Sequence, residues 1–216
     1  MRVTDQIMNA TARRAGVPVN MSLVNHLNKN QNSLEDLFGN SAAADVTQKK
    51  EYEKQEKTAE ELAKSAQAFL AEGQDSIFAK AKESGNMDEI HSHVEKLLEN
   101  YNAVLKSLKS NASPLDDYYR QMLSGAAGEH SEALKTAGIT IGKDGTLSLD
   151  KNKLKEADVE SLEKLFGPSG SFSEKVAFLG DRIADNAGAN ALSYSSKYNS
   201  NGNSYASLGN KYDIWG

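Results

Sequence analysis

The sequence predicts a mainly α-helical protein, a helical bundle or coiled coil with a small β-hairpin near residues 139–149. Three observations carry this expectation. Met87, Ile90, Val94, Leu97, Tyr101, Val104 and Leu108 succeed one another at spacings of 3 and 4, which is a heptad seam on one helix face. Ile139 and Ile141 alternate with Thr140, and Leu147 and Leu149 flank Ser148, so each run places its apolar side chains on one face of a strand. Only 38% of residues are hydrophobic, 25% are charged and 3 are proline, a mix that suits helices and coiled coils better than a large compact enzyme.

The elements follow in order. Val3, Ile7 and Ala10 suggest a short helix within residues 1–15, interrupted by Gly16-Val17-Pro18. A second short helix is expected over Ser22–Leu27, then a polar loop over Asn28–Asn32. Ser33-Leu34-Glu35-Asp36-Leu37-Phe38-Gly39 has a near copy in Ser161-Leu162-Glu163-Lys164-Leu165-Phe166-Gly167. Both read as helical turns stopped by glycine, either as a shared way of ending a helix or as an internal duplication or repeated docking element. Residues 45–72 have strong helix-forming composition. Their first half is polar, suited to solvent or a partner, and their second half carries Leu62, Ala66, Phe69 and Leu70, with Gly73 as the expected stop. Ile77, Phe78 and Ala81 begin another helix, which ends near Gly85.

In the seam helix, Leu98 and Leu105 widen the apolar stripe until Ser113-Pro114 breaks the pattern. Leu115, Tyr118, Tyr119, Met122 and Leu123 mark a short helix, with Asp116 and Asp117 in its first turn facing the helix dipole. Gly125–Gly128 reads as a hinge, and Ser131–Ala137 as a further helical turn. Lys143-Asp144-Gly145 is a tight-turn signal because glycine accepts positive φ, and Asp150 is placed to cap the helix that follows the hairpin. Ser171-Phe172-Ser173-Glu174 has capping-box spacing. The helix it opens carries Phe172, Val176, Leu179 and Ile183, spaced to pair with the helix over 87–110, until Asn186 and Asn190 occupy the next seam positions. Residues 193–210 are rich in Ser, Asn, Gly and Tyr, with too little apolar surface to fold alone. Near the end, Ile214 and Trp215 suggest either a docking peptide for a partner or a segment that folds back on the bundle. The expected organisation is therefore 1–44 as short helices and loops, 45–192 as the bundle with its hairpin, and 193–216 as a tail.

Charge and motif content narrow the function. A net charge of −5 without a long basic block argues against nucleic acid as a partner. No apolar run reaches the ~18 residues of a membrane span, and residues 1–15 lack an apolar signal-peptide core. Cysteine is absent, which excludes disulfides and thiol chemistry. Aligning Gly145 with the glycine of a calcium loop puts Thr140, Gly142 and Lys151 at ligand positions, and a lysine there repels the ion. His91 and His93 are two apart and diverge on a helix, while Glu89 and His93 share a face but lack a third ligand. His26 and His130 stand alone. No nucleophile triad or phosphate loop stands out, so neither an enzyme nor a cofactor is expected.

Gly138, Ile139, Thr140, Asp144, Gly145, Leu147, Leu149, Asp150, Lys153, Leu154, Ala157, Leu165 and Phe166 fall into a spaced pattern that resembles the C-terminal part of the bacterial flagellar filament cap, or hook-associated protein 2. Upstream, Tyr101-Asn102-Ala103-Val104-Leu105 looks like that family's helix with its Tyr-Asn core, and Phe172–Ala191 looks like its final coiled-coil helix. The likeness spans about residues 87–192; residues 1–86 depart from the family's usual N-terminus, and its large β-rich domains are missing. The resemblance implies a structural or assembly protein of the extracellular flagellum, with flagellin, other axial proteins or a second copy of the chain (self-association) as partners. The interaction and packing residues expected on this reading are Ile90, Val94, Leu97, Tyr101, Val104, Leu108, Phe172, Val176, Leu179, Ile183, Ile214 and Trp215. The alternative is an intracellular, cytoplasmic helical adaptor or chaperone-like protein.

Overall fold

The computed structural model describes the backbone of residues 31–111, 113–168 and 172–196, and the side chains of these from 45 to 194. Two units divide the chain, 1–47 and 48–216. In the first, the backbone is helical from residue 31; the packing described below belongs to the second. Among the described residues there are eight α-helices and one two-stranded antiparallel hairpin. None of these helices is long and apolar enough to cross a membrane.

Helix α1 (Gln31–Gln67) runs through Gly39 without stopping. The expected break fails there because an interior glycine costs only about 1 kcal/mol relative to alanine, and Ala42-Ala43-Ala44 and the helix formers beyond them continue the pattern. Residues 31 and 32, read as loop, belong to the same helix. At its other end α1 stops at Gln67, ahead of the expected Gly73. The chain leaves the helix where Phe69 is withdrawn from solvent. The Phe69 ring stacks on Phe166 at 5.1 Å and meets Phe78 at 6.0 Å and the His93 ring edge-on at 5.9 Å. Gly73, at φ 69°, instead opens a 3-10 turn, Gly73–Asp75.

Helix α2 (Ile77–Ser84) begins at the Ser76 cap and ends at Gly85 in the left-handed region, as expected. Helix α3 (Asp88–Asn111) carries the seam from Ile90 on, and Met87, just ahead of the helix, is partly buried against the core. Helix α4 (Pro114–Glu129) opens on a capping box between Ser113 and Asp116. It continues through Gly125 and Gly128, so the expected hinge is helix: Ala126 and Ala127 between the two glycines are buried and hold that turn against the core. Helix α5 (Ser131–Thr136) leads into β1 (Ile139–Ile141) and β2 (Leu147–Leu149), paired as Ile139↔Leu149, Thr140↔Ser148 and Ile141↔Leu147. Gly142 N–H donates to Thr146 O and Gly145 N–H to Gly142 O, which closes the turn with Gly145 at φ 84°. As the alternation requires, Ile139 and Leu147 are buried while Thr140 and Ser148 are exposed.

The Asp150 carboxylate accepts from the N–H groups of Asn152 and Lys153 and starts helix α6 (Lys151–Glu156). Helix α7 (Val159–Phe166) is capped by Asp158, which accepts from Ser161 N–H at 2.8 Å. It ends at Gly167, the expected glycine stop, although that glycine is not in the left-handed region. Gly167 has φ −73°, and glycine is needed for a different reason: a Cβ there would strike the Glu163 carbonyl oxygen that accepts the Gly167 N–H at 2.7 Å.

Helix α8 (Phe172–Ser196) follows. Ser171 of the expected capping box lies outside the described residues, as do the expectations for residues 1–30 and for 197–216, Ile214 and Trp215 included. Against the expected pairing with α3, the principal partners of α8 are α4 and α7, with Phe172 reaching the Tyr101 ring at 6.0 Å. It also crosses α1 closely: a Cβ at Gly180 would meet Ala63 N at 2.9 Å. Beyond Ile183 the buried face narrows to Ala184, Ala187 and Ala191, and Asn190 donates to Asn186 at the helix side. The expected borders at 44/45 and 192/193 both fall inside helices, α1 and α8.

Candidate functional site: a clamped seam and an outward apolar face

Ile90, Val94, Leu97, Tyr101, Val104 and Leu108 project from one side of α3, and all six are fully buried. Phe172, Val176 and Ile183 of α8 are fully buried too, and Leu179 nearly so. These ten residues join a single hydrophobic cluster with side chains from α1, α2, α4, α5, α6, α7 and the hairpin. The seam read from the heptad spacing is therefore spent inside the chain's own core. Leu98 and Leu105, which widen it, are buried in the same cluster and let α3 face several neighbours at once.

Two adjacent residues of α3 fix the parts around it. The Tyr101 hydroxyl donates to Leu123 O of α4 at 3.0 Å. Burial pushes the Tyr101 phenol well above its ordinary value of 10.0, so the ring stays neutral and keeps its donor. The Asn102 side-chain amide pairs with the backbone of Leu147: Nδ2 donates to Leu147 O at 2.7 Å, and Leu147 N–H donates to Oδ1 at 2.8 Å. It occupies the place a third strand's peptide group would take, so the short hairpin docks on α3 by a two-bond clamp. Lys151 adds an ion pair to Glu95 at 2.8 Å. At the tip, the backbone of Gly145 lies so close to Ser124 of α4 that any Cβ would collide with its hydroxyl. The Asp144 carboxylate accepts from Thr146 Oγ1 at 2.6 Å and Thr146 N–H at 3.2 Å, and these bonds hold its pKa below the ordinary carboxylate range.

A buried polar knot ties α1 to the α3–α4 corner. Asp116 and Gln55 are each 1% exposed. Gln55 Nε2 donates to Asp116 Oδ1 at 2.8 Å, Asn111 Nδ2 donates to Gln55 Oε1, and Ser113 Oγ donates to Asp116 Oδ2 at 2.6 Å. Every carboxylate oxygen of Asp116 thus has a donor, the condition for burying it. Nearby Tyr52 stacks on Tyr194 at 5.8 Å, and burial, then the Asp116 charge, raises its phenol pKa.

Sequence reasoning located the apolar residues of α4 without separating its two faces. Tyr119 and Leu123 turn inward. Leu115, Tyr118 and Met122 turn outward and stay 42%, 53% and 42% exposed. On α8, which packs against α4, Phe178 is 58% and Leu192 70% exposed. The two helices are tied by the Tyr119 hydroxyl donating to Arg182 O and by the Lys175–Glu129 ion pair. The Arg182 guanidinium sits over the Phe178 ring at 5.3 Å. The available signal was width: 115, 118, 119, 122 and 123 form an apolar arc broader than one stripe.

His93 and His130 fill structural positions. His93 packs on Phe69 with Glu89 3.9 Å away, and the His130 ring nitrogen Nδ1 bonds Ala126 O at 2.9 Å. Among the described residues no group of three or more His, Asp or Glu is arranged to hold a metal. Set beside known protein families, curated proteins and solved structures, the chain matches none of them.

Proposed function

We propose that this chain is a structural or assembly protein that acts through protein–protein contacts, similar to the C-terminal part of the flagellar filament cap and working outside the cell beside flagellin or other axial proteins. The observation that carries the reading is the outward apolar set on α4 and α8: Leu115, Tyr118, Met122 and Phe178 are kept out of the core while the seam beside them is fully buried. Exposed aromatic and methionine side chains on firmly held helices are what contact surfaces use. The residues behind the family resemblance also act together. Asn102 clamps the Gly138–Asp150 hairpin, and Tyr101 beside it bonds α4.

Fractionation tests the proposal. The chain is followed in cells, sheared filaments and medium, with and without a working flagellar export gate. It is expected outside cells only when the gate works, and the Tyr118→Asp/Phe178→Asp variant is expected in the medium but lost from filaments. Retention inside cells in both strains would overturn the proposal in favour of an intracellular helical adaptor.

A further inference from the structure

The outer face of α3 carries a second feature that the apolar set does not touch. Asn102, Leu105, Lys106 and Lys109, spaced along one face of the helix, line a groove of about 460 Å³. Arg120 of α4 and Asp144 and Thr146 of the hairpin turn complete it. Its floor is firm. Leu105 is buried in the core, Asn102 is held by both bonds to Leu147, and the turn is seated on Ser124 through Gly145.

Charge in the groove runs against the rest of the chain. The protein carries −5 overall, yet three cations line this cleft against one carboxylate. That carboxylate, Asp144, already has one oxygen engaged by the hydroxyl and N–H of Thr146. Arg120 has one guanidinium nitrogen 3.4 Å from Asp117, leaving its other donors for a ligand. Lysines one helical turn apart root their side chains about 5–6 Å from each other at Cβ, close enough for both flexible ammonium groups to reach one anion, and arginine adds a fork suited to phosphate oxygens.

From this we infer that the groove binds a small soluble molecule bearing a diphosphate or two neighbouring phosphoryl groups. Lys106 and Lys109 neutralise the phosphoryl charge, Arg120 grips it from the facing helix, and any apolar body lies over Leu105. The volume is in the range of small-molecule sites. Because Leu115, Tyr118, Met122 and Phe178 do not line the groove, the inference stands apart from the proposed function.

The test is calorimetric titration of the full chain with inorganic pyrophosphate at low salt. Saturable one-to-one binding is expected. Lys106→Gln/Lys109→Gln should weaken it at least about tenfold and Arg120→Gln several-fold, while Asp144→Asn should tighten it about two- to threefold. The control Lys135→Gln/Lys155→Gln, with the same charge change on exposed lysines outside the groove, should stay within about twofold. Since Lys106 and Lys109 are exposed, the double variant should keep its thermal midpoint, which separates lost binding from lost fold. Non-saturable binding, or equal weakening in the control, would overturn the inference by reducing it to general attraction. So would binding only to vesicles that carry a phosphoinositide bisphosphate, which would place the phosphoryl groups on a membrane.

Discussion

Helices α3 and α4 lie side by side and both are rich in apolar residues, yet they spend them differently. On α3 the large apolar side chains are buried in the core. On α4 the apolar residues split, with Tyr119, Leu123, Ala126 and Ala127 packed inward and Leu115, Tyr118 and Met122 left facing out. A heptad seam alone therefore does not mark an outward apolar surface in this chain. The regular helix is the core, and the less regular one beside it leaves apolar side chains facing out.

The largest effect expected from breaking this contrast is on the core side. Tyr101→Asp or Leu179→Asp buries a carboxylate without a partner and should cost at least about 4 kcal/mol, enough to unfold the bundle. Circular dichroism melting reads this directly. Next in size is the clamp. Asn102→Ala leaves the Leu147 N–H and C=O unpaired and should cost about 1–3 kcal/mol. Hydrogen exchange at the Leu147 amide should then accelerate more than exchange in the middle of α3.

A smaller effect is expected at the Tyr101 hydroxyl. Tyr101→Phe gives up the bond to Leu123 O and should cost about 0.5–1.5 kcal/mol at neutral pH. It also changes the alkaline response. The folded-state pKa of Tyr101 is raised by burial above its ordinary 10.0, so the stability linked to it is complete below about pH 10 and lost as the pH rises further, by up to about 1.4 kcal/mol per pH unit. Denaturant melts of Tyr101→Phe should fall less steeply with pH above 10 than those of the natural chain. The smallest expected change is on the outward face: Tyr118→Asp should move stability by no more than about 0.5 kcal/mol.

Much of this contrast was legible in the sequence and some was not, for physical reasons. Helix α3 was readable because its apolar residues share one face, and the hairpin because alternation and Asp144-Gly145 agree on one register. The ends of α1 were not. Gly39 is only a weak helix breaker among good helix formers, and the break after Gln67 is set by the aromatic ring contacts Phe69 makes with Phe78 and Phe166. The Asn102 clamp was hidden because its partner is 45 residues away and no local pattern reports a side chain standing in for a strand. Gly167 was legible as the stop of α7, but not that its role is to let two backbone segments approach. The outward face of α4 could be suspected from the width of its apolar arc, but its direction depends on where α8 packs.

The most direct test of the division between core seam and outer face is the concentration dependence of thermal unfolding in the Tyr118→Asp/Phe178→Asp variant, which places charge on two of the outward aromatic positions. With the seam completed within one chain, the midpoint should stay constant over about a hundredfold range of concentration. A midpoint that climbs with concentration would mean that the seam is shared between chains, and would contradict the account.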